Sequence, residues 1–452
     1  MANIENMFGS FYESMNRSST HTTKAGSASH QVMDSAPLNE SLQSLPSGPQ
    51  EEYLLQTQIR PIFGKEGLNT SPIGTHPDFL ALEGSNNTQK HYTCTLFVDI
   101  KGSTRLSLLY DLEFIFKFKN AVIQTCVEVV RSFDGHVHRL MGDAVMAFFG
   151  GSSTEKEDAI ADAINCSVTL RAILEQSIKP WMINSGLDAK DFGFRIGCDF
   201  GNDDDVLWGS FGYQGVGEVS ATGLSVDMAS KLQSLAGKNQ TMLGQGLLEF
   251  VDWPEKYSKI KDREKDGGGS EYLPVVTPNI TDKSGNPLNY KMRSLDFSKC
   301  LKFSALPLQF RERIAGVAVK NNPNIDFKCF IITSGSKKEY ISASYFLGPN
   351  LDIVFEVKAI TASRLSFPLR VVFKKTNHGL ATPKEERDIE QEPVTKWLIK
   401  KAANSFNSSM VPRATAELKE ATLYRGLHTM KCEVFDNNNH LIFRDWIGVM
   451  IK

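Results

Sequence analysis

From Tyr92 to Gly237 the hydrophobic pattern keeps changing period, and a chain that does this must pack helices against a sheet. TCTLFVDI is a short β-rich run. Lys101-Gly102-Ser103-Thr104 then supplies a turn and a helix cap, and Leu112, Ile115, Phe116, Val122, Ile123, Cys126, Val129 and Val130 follow helical spacing. HVHRLMGDAVMAFF reads as a hairpin with Gly142-Asp143 at its tip. A second amphipathic helix is predicted from about Glu157 to Gln176, and FGFRIGCDFG predicts a strand. VLWGSFGYQGVGEVSATG is a Gly-rich hairpin that leads into the helix LSVDMASKLQSLAG. The order predicts an α+β domain, an antiparallel sheet with helices on one face.

The rest of the chain reads differently. Residues 1–88 are expected to be a mostly disordered extension, because 17–50 are rich in Ser and Thr and poor in large apolar side chains. A patch at Met7, Phe8, Phe11 and Tyr12 offers a docking helix, but the pattern favours a loose tail. The polar, Gly-rich KDREKDGGGSEY closes a first domain at 89–275, and 276–320 reads as a helical connection. Alternation of Ile353, Phe355 and Val357, of Leu369, Val371 and Phe373, and of Met430, Cys432 and Val434 predicts a small β-sandwich over 321–452.

Charge and cysteine usage exclude several classes. Lys plus Arg is 50 against 52 Asp plus Glu, a net charge of −2, so no basic excess points to direct nucleic-acid binding. No apolar run is long enough to cross a bilayer and the start lacks a secretory pattern, so a cytoplasmic chain without a membrane partner is expected. The cysteines are odd in number and never form CxxC, which argues against a disulfide framework or a zinc knuckle. His136 and His138 alternate onto one strand face with no third soft ligand nearby, and read as structural.

Asp99 ends the first strand and Asp143 sits at a hairpin tip. Singly, each aspartate is an ordinary turn residue. As a pair they suit Mg²⁺ or Mn²⁺, which take oxygen ligands from one or two carboxylates and complete their shells with substrate phosphates.

LFVDIKGST, RLMGDAVMAFF, FRIGCDFG and GLSVDMASKL, in this order, resemble the catalytic domain of class III nucleotide cyclases over about residues 91–250. The resemblance implies a ferredoxin-like palm working as a homodimer, with each active site built from both subunits. It implies two Mg²⁺ or Mn²⁺ ions held by Asp99 and Asp143 with the backbone carbonyl of Ile100. Phe97 and the turn Lys101, Gly102, Ser103 and Thr104 would approach the triphosphate, and Arg195 matches a triphosphate-binding arginine. The ribose 3′-hydroxyl would then attack the α-phosphorus as pyrophosphate leaves.

Two departures stand out. Where the family usually has an asparagine and, four residues on, an arginine, this chain has Asp227 and Lys231, one helical turn apart. Lysine keeps the charge but loses the bidentate fork, and the pair also reads as an ordinary helix salt bridge. The base-selecting positions hold Arg139 and, near the last helix, Ser220 with Glu218, which match neither purine code. Arg139 suits the O2 and N3 acceptors of cytosine or the carbonyls of uracil, and Glu218 or Ser220 can accept from the cytosine amine. A pyrimidine nucleotide is the expected substrate. A purine cyclase and a silent, nucleotide-sensing cyclase homologue stay open as alternatives, while a diguanylate cyclase would need a GGDEF-type hairpin at Met141-Gly142-Asp143-Ala144-Val145.

The arrangement of a polar extension, cyclase domain and β-rich end also resembles the cytidylate cyclases of bacterial Pycsar antiphage systems. The last part is similar to AGS-C sensor domains in its strand pattern and its ending FRDWIGVMIK. This implies CTP as substrate, cyclic CMP and pyrophosphate as products, and a companion effector activated by the messenger. Cyclic UMP is the other product of that family, and Arg139 does not discriminate between the two.

Overall fold

The computed structural model describes residues 8–10, 12–13, 53–213, 216–264, 269–276, 281, 284–287, 289–400 and 413–452. The disorder expected for 14–52 falls outside these residues, as do Met7 and Phe11. The remainder of the apolar patch is docked. Phe8 is fully buried, its ring 5.2 Å from Trp181 and 6.1 Å from Phe118, and its N–H donates to Ser177 Oγ at 3.0 Å.

Residues 53–88 are also ordered, against expectation. Helix α1 (Leu54–Ile59) and the single turns Arg60–Phe63 and Pro77–Leu82 bury Leu55, Ile59, Phe63, Phe79 and Leu82. Arg60 donates to Asp134 at 2.6 Å, and Lys65 bridges Asp134 and Asp162 at 2.9 Å each, so charge pairing reinforces the apolar contact.

The short strand β1 (Thr88–Lys90) precedes β2 (Thr93–Lys101), α2 (Ser103–Leu109) and α3 (Leu112–Ser132). The hairpin β3 (His136–Met141) and β4 (Ala144–Phe149) follows, then α4 (Lys156–Ile173), a π turn at Leu174–Ile178 and α5 (Lys179–Asn184). Next come β5 (Gly193–Gly201), the hairpin β6 (Leu207–Tyr213) and β7 (Val216–Thr222), and α6 (Leu224–Leu235). After β8 (Gln240–Gly244) and α7 (Gln245–Phe250) the chain forms β9 (Ser258–Lys259), the ribbon β10 (Lys261–Glu264) and β11 (Ser270–Leu273), and β12 (Met292–Leu295).

Seven strands form the central sheet in the order β3-β4-β2-β5-β8-β12-β9. All neighbours are antiparallel except β5 and β8, because α6 crosses over the sheet between them. That crossover corrects the expectation of helices on one face. Along β2, Leu96, Val98 and Ile100 pack into the cluster that holds α3 and α4, whereas Phe97 packs into a second cluster with Val226 and Ala229 of α6. Gly197 lets α6 approach, since a Cβ there would lie 2.1 Å from Ala229 O and 2.3 Å from Gln233 N.

The boundary at 275 is displaced as well. β12 pairs with β8 inside the central sheet, and Phe297, Leu301 and Phe303 of α8 (Phe297–Lys302) and its end join the first core cluster. The polar ribbon at 261–273 is an excursion from this domain; the chain then returns to finish the sheet. Helix α9 (Leu308–Arg311) leads into the C-terminal part.

There β13 (Ile325–Thr333), β14 (Ser336–Tyr340), β15 (Phe346–Leu347), β16 (Asp352–Ile360), β17 (Leu369–Thr376), β18 (Val394–Leu398), β19 (Arg413–Ala421), β20 (Gly426–Phe435) and β21 (Leu441–Ile451) build two sheets. Their orders are β14-β13-β16-β19 and β15-β21-β20-β17-β18. Phe327, Phe355, Val357, Val371, Phe373, Cys432 and Val434 fill the space between them, the alternating residues of a β-sandwich.

Candidate active site

β2 and the β3–β4 hairpin bring the two carboxylates to one end of the sheet's strands. Asp99 pairs across with Ala144, the residue after Asp143, and Ile100 N–H donates to Asp143 O at 3.3 Å. Gly142 has φ 65° and Asp143 is not in the left-handed region, the pattern of a two-residue II′ turn. Both carboxylates are only partly buried. Asp99 accepts from Arg195 Nε at 2.8 Å and also from its Nη2, an in-register pair across β2 and β5. Asp143 accepts from Ser103 Oγ.

The turn before α2 is positioned by Gly102, whose φ is 87° and where a Cβ would lie 2.6 Å from Asp191 O. Lys101 and Thr104 are exposed on either side of it, and Ser103 is buried against Asp143. Ile100 points its side chain into the core, leaving only its backbone for the site. Phe97 lies on the same face of β2 as Asp99, with its ring buried beneath α6 beside Met146 and Phe148.

Asp227 and Lys231 are both exposed on α6, and no ion pair joins them among the described residues. The alternative reading of the pair as an ordinary helix salt bridge is thus not met. Arg139 pairs with Glu218 across β3 and β7, and Ser220, two residues along, is buried. These three proposed base-contacting residues are therefore brought together, Arg139 on the strand that leads into the Asp143 turn and Glu218 and Ser220 on β7.

What holds that group was missed in the sequence reading. His136 Nε2 and His138 Nδ1 both donate to Gly74 O, at 2.8 and 2.9 Å, and Val219 N–H donates to Thr75 Oγ1 at 3.3 Å. His76 caps the next turn by accepting from Asp78 N–H, and its ring lies 4.8 Å from that of His136. Residues 74–79 thus clamp β3 to β7. The legible signal was His76-Pro77-Asp78, a cap with proline in the first turn.

Burial keeps these imidazoles neutral. Desolvation, reinforced by the neighbouring His136, lowers His76 to about 4, and desolvation also lowers His136 and His138. The unfolded chain therefore takes up protons near pH 6.5 before the folded one does, and the stability these rings contribute is present above pH 6.5 and lost as pH falls toward 4. For His76 the loss is of order 3 kcal/mol. Asp162 and Asp199, pushed up to about 7 by burial, act in the opposite sense. His76→Asn keeps a capping acceptor without a titrating ring, so thermal melting from pH 7.5 to 4.5 should fall less steeply in that variant than in the parent. Equal slopes would remove the assignment.

Two carboxylates and a carbonyl form an all-oxygen donor set, the chemistry of a Mg²⁺ or Mn²⁺ site completed by phosphate oxygens. Among the described residues no group of three or more His, Cys, Asp or Glu side chains could hold an ion by itself. No described helix is long and apolar enough to cross a membrane.

Comparison with known proteins adds the following. The family profile described as the adenylyl/guanylyl and SMODS C-terminal sensor domain matches residues 308–452. The chain is 40% identical over 422 residues to a cytidylate cyclase of Escherichia coli, covering 93% of this chain and 92% of that one. It is 33% identical over 405 residues to a cytidylate cyclase of Staphylococcus aureus, covering 88% of each. The adenylyl cyclase CyaB from P. aeruginosa is 19% identical, with 46% of this chain and 95% of that chain covered at a TM-score of 0.37.

Proposed function

Because this chain belongs to the cytidylate cyclase family, we propose that it converts CTP to 3′,5′-cyclic CMP and pyrophosphate at Asp99 and Asp143. The observation that carries the reading is the meeting of these two carboxylates at one end of the sheet's strands, with Arg139 of the same hairpin paired to Glu218 of the β6–β7 hairpin. When bound, two Mg²⁺ or Mn²⁺ ions supply Lewis acidity toward the ribose 3′-hydroxyl and neutralise charge on the departing pyrophosphate. Asp99, Asp143 and the Ile100 carbonyl hold them. Arg195, now paired with Asp99, turns its fork to the triphosphate, and the Lys101–Thr104 turn orients the phosphate oxygens. Lys231 stabilises charge on the transferring phosphoryl group from α6, with Asp227 orienting the ribose.

Arg139 offers donors to O2 and N3 of cytosine, while Glu218 or the buried Ser220 accepts from its amine. Uracil lacks that amine, so a carboxylate acceptor favours CTP over UTP. Exposed apolar side chains on the same hairpins, Leu140 and Met141 on β3 and Phe211 and Tyr213 on β6, support a homodimer in which a second copy covers them and completes the site. The resemblance to antiphage cyclases adds a role as messenger synthase for a companion effector in bacterial defence.

Turnover tests the reading. With Mn²⁺ and CTP the purified chain should release pyrophosphate and 3′,5′-cyclic CMP in equal amounts. A chain that binds CTP and releases neither, or yields CMP, overturns it.

A further inference from the structure

The C-terminal sandwich is not closed at one end. Where β16 and β19 separate from β17, β20 and β21, a cavity of about 560 Å³ opens between the sheets. Its floor is apolar, formed by Ile353, Phe355, Met430, Val449 and Ile451. Ile389 and Leu423 stand at its mouth, 55% and 60% exposed. This size is in the range of roughly 300–1,000 Å³ typical of sites that enclose a small ligand or a few side chains.

Among the residues that line the cavity the unpaired charge is acidic. Of the lining glutamates, Glu420 is neutralised by Lys375 at 2.7 Å, and Glu390 by Lys374 and Lys431 at 3.2 and 2.7 Å. Glu385 and Glu392 have no cationic partner among the described residues, and Glu386 accepts only from the Gln391 amide at 3.3 Å. An anion such as a nucleotide would meet this rim at a Coulombic cost. An aliphatic group joined to a cation would match both floor and rim.

We propose that this cavity is a binding site for a short peptide segment carrying lysine or arginine beside aliphatic side chains. Such a segment buries its aliphatic groups against Phe355 and Met430 and pairs its cation with Glu385, Glu386 or Glu392. The inference stands on the cavity alone and is independent of which nucleotide the N-terminal half turns over.

One wall connects the site to that half. His378, at the start of the 377–391 loop, meets Tyr257 Oη through Nε2 at 3.2 Å. In the same loop Leu380 N–H donates to the Asp252 carboxylate, and Asp388 O accepts from Lys256 at 3.4 Å. Peptide seated against the loop therefore also steadies residues 250–257.

The test uses the full chain and fluorescein-labelled hexapeptide pools, one randomised over Lys, Arg, Leu and Ile and one over Asp, Glu, Leu and Ile. Fluorescence polarisation at physiological salt should show binding of the basic pool alone. Glu385→Lys/Glu386→Lys/Glu392→Lys, at surface positions, should weaken it at least tenfold without changing the melting temperature, and Leu423→Asp should weaken it as well. Hydrogen exchange at 250–257 and 377–391 should slow when the basic pool is present. Equal binding of the acidic pool, no binding of the basic pool, or loss on charge reversal with Leu423→Asp unaffected would each overturn the proposal, the last by reducing it to surface attraction.

Discussion

Asp143→Ala should lower the rate of cyclic CMP formation at least 10³-fold at saturating CTP, about 4 kcal/mol of transition-state stabilisation. The carboxylate lies at a two-residue turn, partly exposed, with Ser103 as its hydrogen-bond donor, so its removal should leave thermal melting almost unchanged. Loss of one of two ion-binding carboxylates is a chemical loss with little structural cost. Asp99→Ala should show the same loss of rate, with a small additional change in stability because Arg195 is left without its partner. Product formation by chromatography and melting by circular dichroism, measured on the same samples, separate the two effects. An Asp143→Ala chain that retains more than a tenth of the parent rate would remove this residue from the reaction.

Gly197→Ala should damage the N-terminal half more than any other single added methyl in the sheet. The new Cβ would meet the backbone of α6 at Ala229 O and Gln233 N, 2.1 and 2.3 Å away. Backbone cannot rotate out of the way as a side chain can, so α6 must lift from β5. Overpacking of this kind costs about 3 kcal/mol or more. It should also displace Asp227 and Lys231, which α6 carries, relative to Arg195 on β5, so turnover should fall in whatever fraction still folds. Gly209→Ala is the control. There the nearest atom to a new Cβ is the Thr88 Cγ2 methyl, at 3.2 Å, and melting should barely move. Similar melting for Gly197→Ala and Gly209→Ala would show that the α6 approach is looser than the structure places it.

Local patterning made much of this legible. The β2 run, the Gly142-Asp143 turn and the Gly-rich β6–β7 hairpin carry their own signals in period-two alternation and turn residues, and the sandwich strands do the same at Ile353, Leu369 and Met430. What escaped depends on partners distant in sequence. Residues 53–88 read as unstructured because the Ser- and Thr-rich composition of 17–50 was extended across them, yet Phe63 packs on Phe133 and Phe79 stacks on Trp208 at 3.9 Å. The close approach of α6 to the sheet is permitted by an interior glycine, Gly197, and one glycine does not announce a helix crossing above it. β12 returns to the sheet after a polar excursion that by composition is a domain boundary.

The same division holds within the site. Asp99 and Asp143 are legible because strand ends and hairpin tips present side chains at predictable places. Phe97 shares a face of β2 with Asp99, as alternation predicts, and what spacing does not give is the depth at which α6 covers its ring. The absence of an Asp227–Lys231 ion pair among the described residues follows from side-chain rotamers on an exposed helix surface, which spacing does not fix. The Gly74 carbonyl that gathers His136 and His138 has no side chain and left no mark in the sequence.

The most direct measurement of the central claim is competition. The purified chain, given Mn²⁺ and an equimolar mixture of ATP, GTP, CTP and UTP, should yield 3′,5′-cyclic CMP as its main product by mass spectrometry. Cyclic AMP or cyclic GMP as the main product would contradict the reading of Arg139, Glu218 and Ser220 and the assignment of CTP as substrate.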